Sequence, residues 1–102
     1  MNLEFYPAEK FKKEVKDAVH KYPALSGYRV FFFGSRVRGD NFPRSDIDLG
    51  IEGPRALPVN VKLALEQDLA MLPTLYKIDF VDFTQAAPSF KQEALKYIEY
   101  VI

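Results

Sequence analysis

Apolar side chains recur at helical spacing over residues 8 to 22, where Phe11, Val15, Ala18, Val19 and Tyr22 share one face and Glu9, Lys12, Lys13 and Lys16 lie outside it. That period predicts an amphipathic helix laid on a sheet and stopped by Pro23. Tyr28 to Phe33 is an unbroken apolar run at its far end, the pattern of a strand buried on both faces. Asp40 to Ser45 reads as a loop, marked by Asp-Asn and Pro43, and Asp46 to Ile51 as a second strand ended by Gly53-Pro54 and Pro58. Val61, Leu65, Leu69 and Leu72 mark one face of a helix over Val59 to Leu72, closed by Pro73. Tyr76 to Phe83, rich in aromatic and β-branched residues, predicts a third strand. Pro88 opens a last helix, with Phe90, Ala94, Tyr97, Ile98 and Val101 as its buried stripe. These elements predict an α+β fold, a small mixed β-sheet with helices packed on one face. At 102 residues the chain is expected to be a single domain, residues 1–102, without internal repeats.

Composition narrows the function classes. Hydrophobic residues at 48% and aromatics at 15% are well above the content of a disordered tail, so the chain folds. Fourteen basic and 14 acidic side chains give no overall field, so neither membrane attachment nor direct nucleic-acid binding is expected. The charges are nevertheless unevenly spread: residues 1–45 carry nine Lys/Arg against five Asp/Glu, and residues 46–102 five against nine. The Lys-rich stretch from Lys10 to Lys21 reads as a solvated helix face, or alternatively as a basic docking face for an acidic partner. The absence of cysteine excludes disulfides and thiolate metal sites, and His20 reads as a surface side chain. The N-terminus lacks the pattern of a leader, and no segment approaches the roughly 20 apolar residues of a membrane span, so a cytoplasmic location is expected.

The candidate chemistry is concentrated between Gly34 and Asp48. Gly34-Ser35 ends the first apolar run, and ten residues later Asp46-Ile47-Asp48 opens the next. On an extended segment Asp46 and Asp48 project to the same side. Two like charges about 4 Å apart repel by roughly 1 kcal/mol in water and several-fold more near a protein surface, so the pair calls for a cation. Carboxylates suit Mg²⁺ or Mn²⁺, and Mg²⁺ is commonly held by one or two acids together with substrate phosphates. Gly34 permits a sharp turn and close approach of the backbone to a ligand, with the Ser35 hydroxyl beside N–H groups able to bind an anion. Arg36 and Arg38 follow, and Arg38 suits either a phosphate or a partner surface. In the third strand Asp79 and Asp82 are three apart and face opposite ways, so only one can join the pair; Asp79, mid-strand, is the candidate, and Asp82 reads as a surface or capping group. Three converging carboxylates fit two-metal nucleotidyl transfer. The plain alternative is an ordinary Gly-Ser turn and the exposed face of a half-buried strand. Tyr97 and Tyr100 read as core or interface packing, with acceptor hydroxyls or base-stacking platforms as the alternatives.

Gly34-Ser35, Arg36-Val37-Arg38-Gly39, Ser45-Asp46-Ile47-Asp48-Leu49 and Ile78-Asp79-Phe80-Val81-Asp82 together resemble the minimal nucleotidyltransferase domains of the DNA polymerase β superfamily. Within it the chain is most similar to the antitoxins paired with helical HEPN ribonuclease toxins, which transfer AMP from ATP to a tyrosine of the toxin. The resemblance implies a polymerase β-like nucleotidyltransferase fold and ATP as substrate with Mg²⁺ (or Mn²⁺). It implies Asp46, Asp48 and Asp79 as catalytic metal ligands, and Gly34 and Ser35 as nucleotide-binding residues, beside which Arg38 is the further candidate. It also implies a HEPN-type toxin as partner. Relatives choose their acceptor with additional domains, so a separate protein or a second copy is expected to complete the site here. The alternative function is a non-catalytic subunit that neutralises the toxin by binding alone.

Overall fold

The computed structural model describes residue 1, residues 3–42 and residues 45–102. Asn2, and Pro43 and Arg44 within the expected 40–45 loop, lie outside the described residues. The chain order is α1 (Ala8–His20), β1 (Arg29–Phe33), α2 (Ser35–Arg38), β2 (Ile47–Glu52), α3 (Val59–Ala70), β3 (Ile78–Asp82), α4 (Pro88–Ala94) and β4 (Glu99–Tyr100). Short 3₁₀ turns follow α1 and β3, at Pro23–Leu25 and Phe83–Gln85.

The sheet order is β3-β2-β1-β4. β1 pairs antiparallel with both β2 and β4, while β2 and β3 run parallel, so the sheet is mixed. Strand alternation divides the side chains between two cores. Val30 and Phe32 of β1 and Ile47, Leu49 and Ile51 of β2 face α1 and α3, where they meet Phe11, Val15, Ala18, Val19, Leu65 and Leu69. Phe11 and Phe32 are wholly buried, and each such side chain contributes about 1.5–3 kcal/mol. This is the expected small mixed sheet with α1 and α3 on one face; of the stripes read for them, Phe11, Val15, Ala18, Val19, Leu65 and Leu69 are buried, and Tyr22, Val61 and Leu72 are partly buried against the same core.

Phe31 and Phe33 point to the other face and form a second cluster with Phe83. The Phe83 ring lies edge-on to both, at centroid distances of 4.9 and 5.0 Å. Space for it comes from Gly50, where a Cβ would stand 2.6 Å from the Phe31 ring and 2.7 Å from that of Phe83. β1 is therefore buried on both faces, as its apolar run implied.

The expected last helix is corrected. α4 stops at Ala94, and the chain extends to form β4, where Val101 donates to the Val30 carbonyl at 2.7 Å. Val101 is buried through this pairing and not through a helical stripe. Phe90 is 43% exposed and Tyr97 57%, so neither is a buried stripe residue. Glu52 ties α4 to the sheet, accepting Lys91 Nζ at 2.7 Å and Arg29 Nη2 at 2.6 Å. Lys91, then Arg29, holds the Glu52 carboxyl below its usual range. Among the described residues, no helix is long and apolar enough to cross a membrane.

Candidate active site

The site grows from strand register. Asp48 on β2 lies directly opposite Asp79 on β3 and, on its other side, opposite Phe33 on β1. Their neighbours Ile47, Leu49, Ile78 and Phe80 belong to the α1/α3 core, so alternation sends both carboxylates to the opposite face. β1 ends at Phe33, and the next residue, Gly34, turns the chain at φ 80° and ψ −161° into α2. This conformation is open only to glycine. A Cβ on Gly34 would stand 2.0 Å from Asp48 Oδ2, so the turn and the carboxylate are in immediate contact. Gly34→Ala is expected to cost about 1–3 kcal/mol in backbone strain alone, before the collision with Asp48. Urea denaturation reads this directly, and an unshifted midpoint would contradict the tight turn.

Gly34, Ser35, Arg38, Asp48 and Asp79 line one cavity of about 480 Å³. Five of the six residues singled out from the sequence thus share one space. Asp46, the sixth, is exposed one residue ahead of β2 and is not part of that lining. Its charge still reaches the site. Burial first, then the negative charges of Asp79 and Asp46, push Asp48 up to about 6, against the opposing pull of Arg38 and Arg36. The pocket therefore carries an excess of negative charge that a cation would relieve. Among the described residues, no group of three or more His, Cys, Asp or Glu side chains is placed to hold a metal ion. The donor set is a carboxylate pair with a third acid nearby, which fits an ion whose remaining ligands come from substrate phosphates and water.

The two arginines part company. Two residues apart on one helical turn, they point to opposite sides. Arg38 is half-exposed on the cavity, with Nε 3.4 Å from Asp40 Oδ1. Arg36 is 2% exposed and turned inward. Its guanidinium donates to the Ser45 carbonyl at 3.0 and 2.8 Å, pairs with Glu4 at 3.0 Å and lies 4.4 Å from the Tyr76 ring centroid. It anchors the residue that precedes Asp46. Asp82 is the capping group expected of it, accepting from the N–H groups of Thr84 and Leu57 at 2.9 Å each.

Sequence reasoning read the far wall of the cavity mainly as core, with a base-stacking or acceptor role for Tyr97 only as the alternative, and did not single out Glu93. Phe90, Glu93, Ala94 and Tyr97 line it from α4 and the turn beyond. Their spacing of three, four and seven from Phe90 was the available signal, but it pointed equally to a core stripe. Tyr100, by contrast, sits on β4 and accepts from Arg29 Nη1 at 3.0 Å.

Comparison with known proteins bears on this geometry. Residues 13–102 match the family model described as polymerase beta, nucleotidyltransferase. No curated protein sequence matches the chain significantly. Among solved structures, a toxin–antitoxin with AMP-PNP superposes with a TM-score of 0.71 at 20% identity, covering 89% of this chain and 72% of that one. An MNT antitoxin in complex with tri-AMPylated Shewanella oneidensis HEPN toxin gives 0.68 at 18% identity, over 92% and 71% of the two chains. The MntA-HepT toxin–antitoxin gives 0.68 at 17% identity with the same coverage. These likenesses establish a shared fold, and the match of the family model over residues 13–102 establishes that the chain belongs to the polymerase beta nucleotidyltransferase family.

Proposed function

We propose that this chain transfers AMP from ATP to a tyrosine hydroxyl of a partner HEPN ribonuclease and so acts as its antitoxin. The observation that carries the reading is the in-register Asp48–Asp79 pair facing the Gly34 turn, in one cavity with Ser35 and Arg38. The family supports nucleotidyl transfer. The choice of AMP and of a HEPN toxin draws on the solved complexes that share this fold.

Asp48 and Asp79, assisted by Asp46, would hold the divalent cation. When bound, Mg²⁺ or Mn²⁺ supplies charge neutralisation at the triphosphate and polarises the reacting phosphorus. The backbone at Gly34 and the Ser35 hydroxyl would receive phosphate oxygens, and Arg38 would add positive charge at the cavity mouth. The tyrosine oxygen forms a bond to the α-phosphorus as the bond to the β-phosphate bridge breaks, and pyrophosphate leaves. Asp79, exposed on an edge strand, is accessible to an incoming hydroxyl and takes its proton. Positioning and charge do the rest.

Intact-mass measurement of the partner after coexpression tests this. A gain of one or more AMP groups supports transfer. A tight complex with unmodified partner supports the alternative, a binding subunit without catalysis. A second expectation follows from the donor set. Mg²⁺ alone should barely raise the melting temperature, whereas Mg²⁺ with ATP should stabilise by about 2.7 kcal/mol at a hundredfold excess over Kd. Equal stabilisation by the ion alone would argue for a complete protein cage instead.

A further inference from the structure

We infer that the nucleobase stacks on Tyr97, against the α4 side of the cavity, with Phe90 fixing the depth of that wall. The inference rests on the nucleotidyltransferase reading of the same cavity and goes beyond it by assigning the wall that α4 and the turn beyond it supply. The lining is divided by element. The sheet and the turn into α2 supply Gly34, Ser35, Arg38, Asp48 and Asp79, with Phe33 and Val81 beside them, while α4 and the turn beyond it supply Phe90, Ala94 and Tyr97 together with Glu93. A nucleoside triphosphate likewise joins a charged part to an aromatic one, and base–aromatic stacking is the interaction the α4 wall offers.

The wall is rigid where it needs to be. The Phe90 ring packs 5.5 Å from Phe83 and 6.1 Å from Phe33, centroid to centroid, so it is seated on the second core. Lys91, the next residue, is clamped to Glu52 of β2 at 2.7 Å. Tyr97 lies just past the end of α4, 57% exposed, and among the described residues its hydroxyl makes no hydrogen bond and its ring no aromatic or cation contact. A large aromatic ring that lines a charged cavity and is more than half exposed suits a planar ligand. Glu93, the polar neighbour on this side, is already engaged with Lys96 at 3.0 Å. Stacking is therefore the principal contact, and it treats adenine and guanine alike.

Calorimetric titration of the full chain with Mg-ATP, Mg-GTP and Mg-tripolyphosphate tests the assignment, using the parent, Tyr97→Ala and Tyr97→Phe. Tyr97→Ala is expected to weaken ATP and GTP by a common factor of roughly 5- to 100-fold, with tripolyphosphate unchanged. Tyr97→Phe, which keeps the ring, should bind as the parent does. Unchanged nucleotide affinity in Tyr97→Ala overturns the inference, as does an equal loss for tripolyphosphate or a comparable loss in Tyr97→Phe. A parent that holds tripolyphosphate as tightly as ATP overturns it while leaving the transferase reading intact. A parent that binds none of the three defeats that reading and this inference with it.

Discussion

Asp48→Asn is expected to lower AMP transfer by about 10³-fold or more, the loss that follows when several kcal/mol of charge stabilisation are withdrawn from the transition state. The same substitution should stabilise the metal-free protein at neutral pH. Asp48 titrates at about 6 in the folded chain against 3.8 for the ordinary group. Between those values the native state binds more protons than the unfolded one, so stability falls as pH rises through that window and stays reduced above it. At about 1.4 kcal/mol per unit the cost has a ceiling near 3 kcal/mol. Because the side chain is only half-buried, solvent screening brings it to about 1 kcal/mol. Urea denaturation in EDTA at pH 8 should find Asp48→Asn more stable than the parent by roughly that amount, with the difference gone near pH 4. Transfer activity that survives in Asp48→Asn would remove the carboxylate from the chemistry. A parent and variant with identical pH profiles would remove the charge conflict.

The parts of the chain whose pattern repeats over several turns or pleats were legible. α1 and α3 each present apolar residues three and four apart over a dozen positions, and β1 to β3 alternate or run apolar long enough to define a face. The opposition of Asp79 and Asp82 followed from strand parity alone, which is why one lines the cavity and the other caps a turn. Short elements carry no period. α2 has four residues and β4 two, so neither produces a signal above its surroundings. Beyond Ala94, Ile98 packs against the second aromatic cluster and Val101 against the first core. Their helical spacing is produced by a turn and a strand pairing, which a local pattern cannot distinguish from a longer helix. The two arginines expose the same limit. Their positions in Ser35–Arg38 put them on opposite sides of a turn, but only the distant Glu4 and Tyr76 decide which of them is inside.

That inward arginine carries a large expected effect on stability. Arg36→Met keeps most of the side-chain volume and deletes the charge, the pair with Glu4 and both hydrogen bonds to the Ser45 carbonyl. Glu4 is solvent-exposed and keeps Asn41 Nδ2 at 2.9 Å and the Tyr76 hydroxyl at 3.1 Å, so its charge is not stranded when Arg36 is removed. The loss then comes from the charged hydrogen bonds to the Ser45 carbonyl, about 2 kcal/mol. For a domain of this size that lowers Tm by roughly 8–16 °C. The pH dependence identifies the cause. Arg36 first, then the backbone at Glu4, with Asn41 and Tyr76 contributing less, hold the Glu4 carboxyl at about 2 against an ordinary 4.5. The unfolded state therefore binds more protons between those values, and the stabilisation is present at neutral pH and lost as pH falls through the window. Arg36→Met should flatten this acid limb, so that the gap in urea midpoint between parent and variant narrows as pH falls toward 2, leaving the part due to the Ser45 hydrogen bonds. The site should respond as well, because the Ser45 carbonyl held by Arg36 belongs to the residue immediately before Asp46. At a temperature where Arg36→Met remains folded, KM for Mg-ATP should rise more than kcat falls, the mark of a loosened binding segment and not of a lost reacting group. A variant as stable as the parent at pH 7, or one whose acid limb is unchanged, would show that Arg36 does not anchor this end of the sheet.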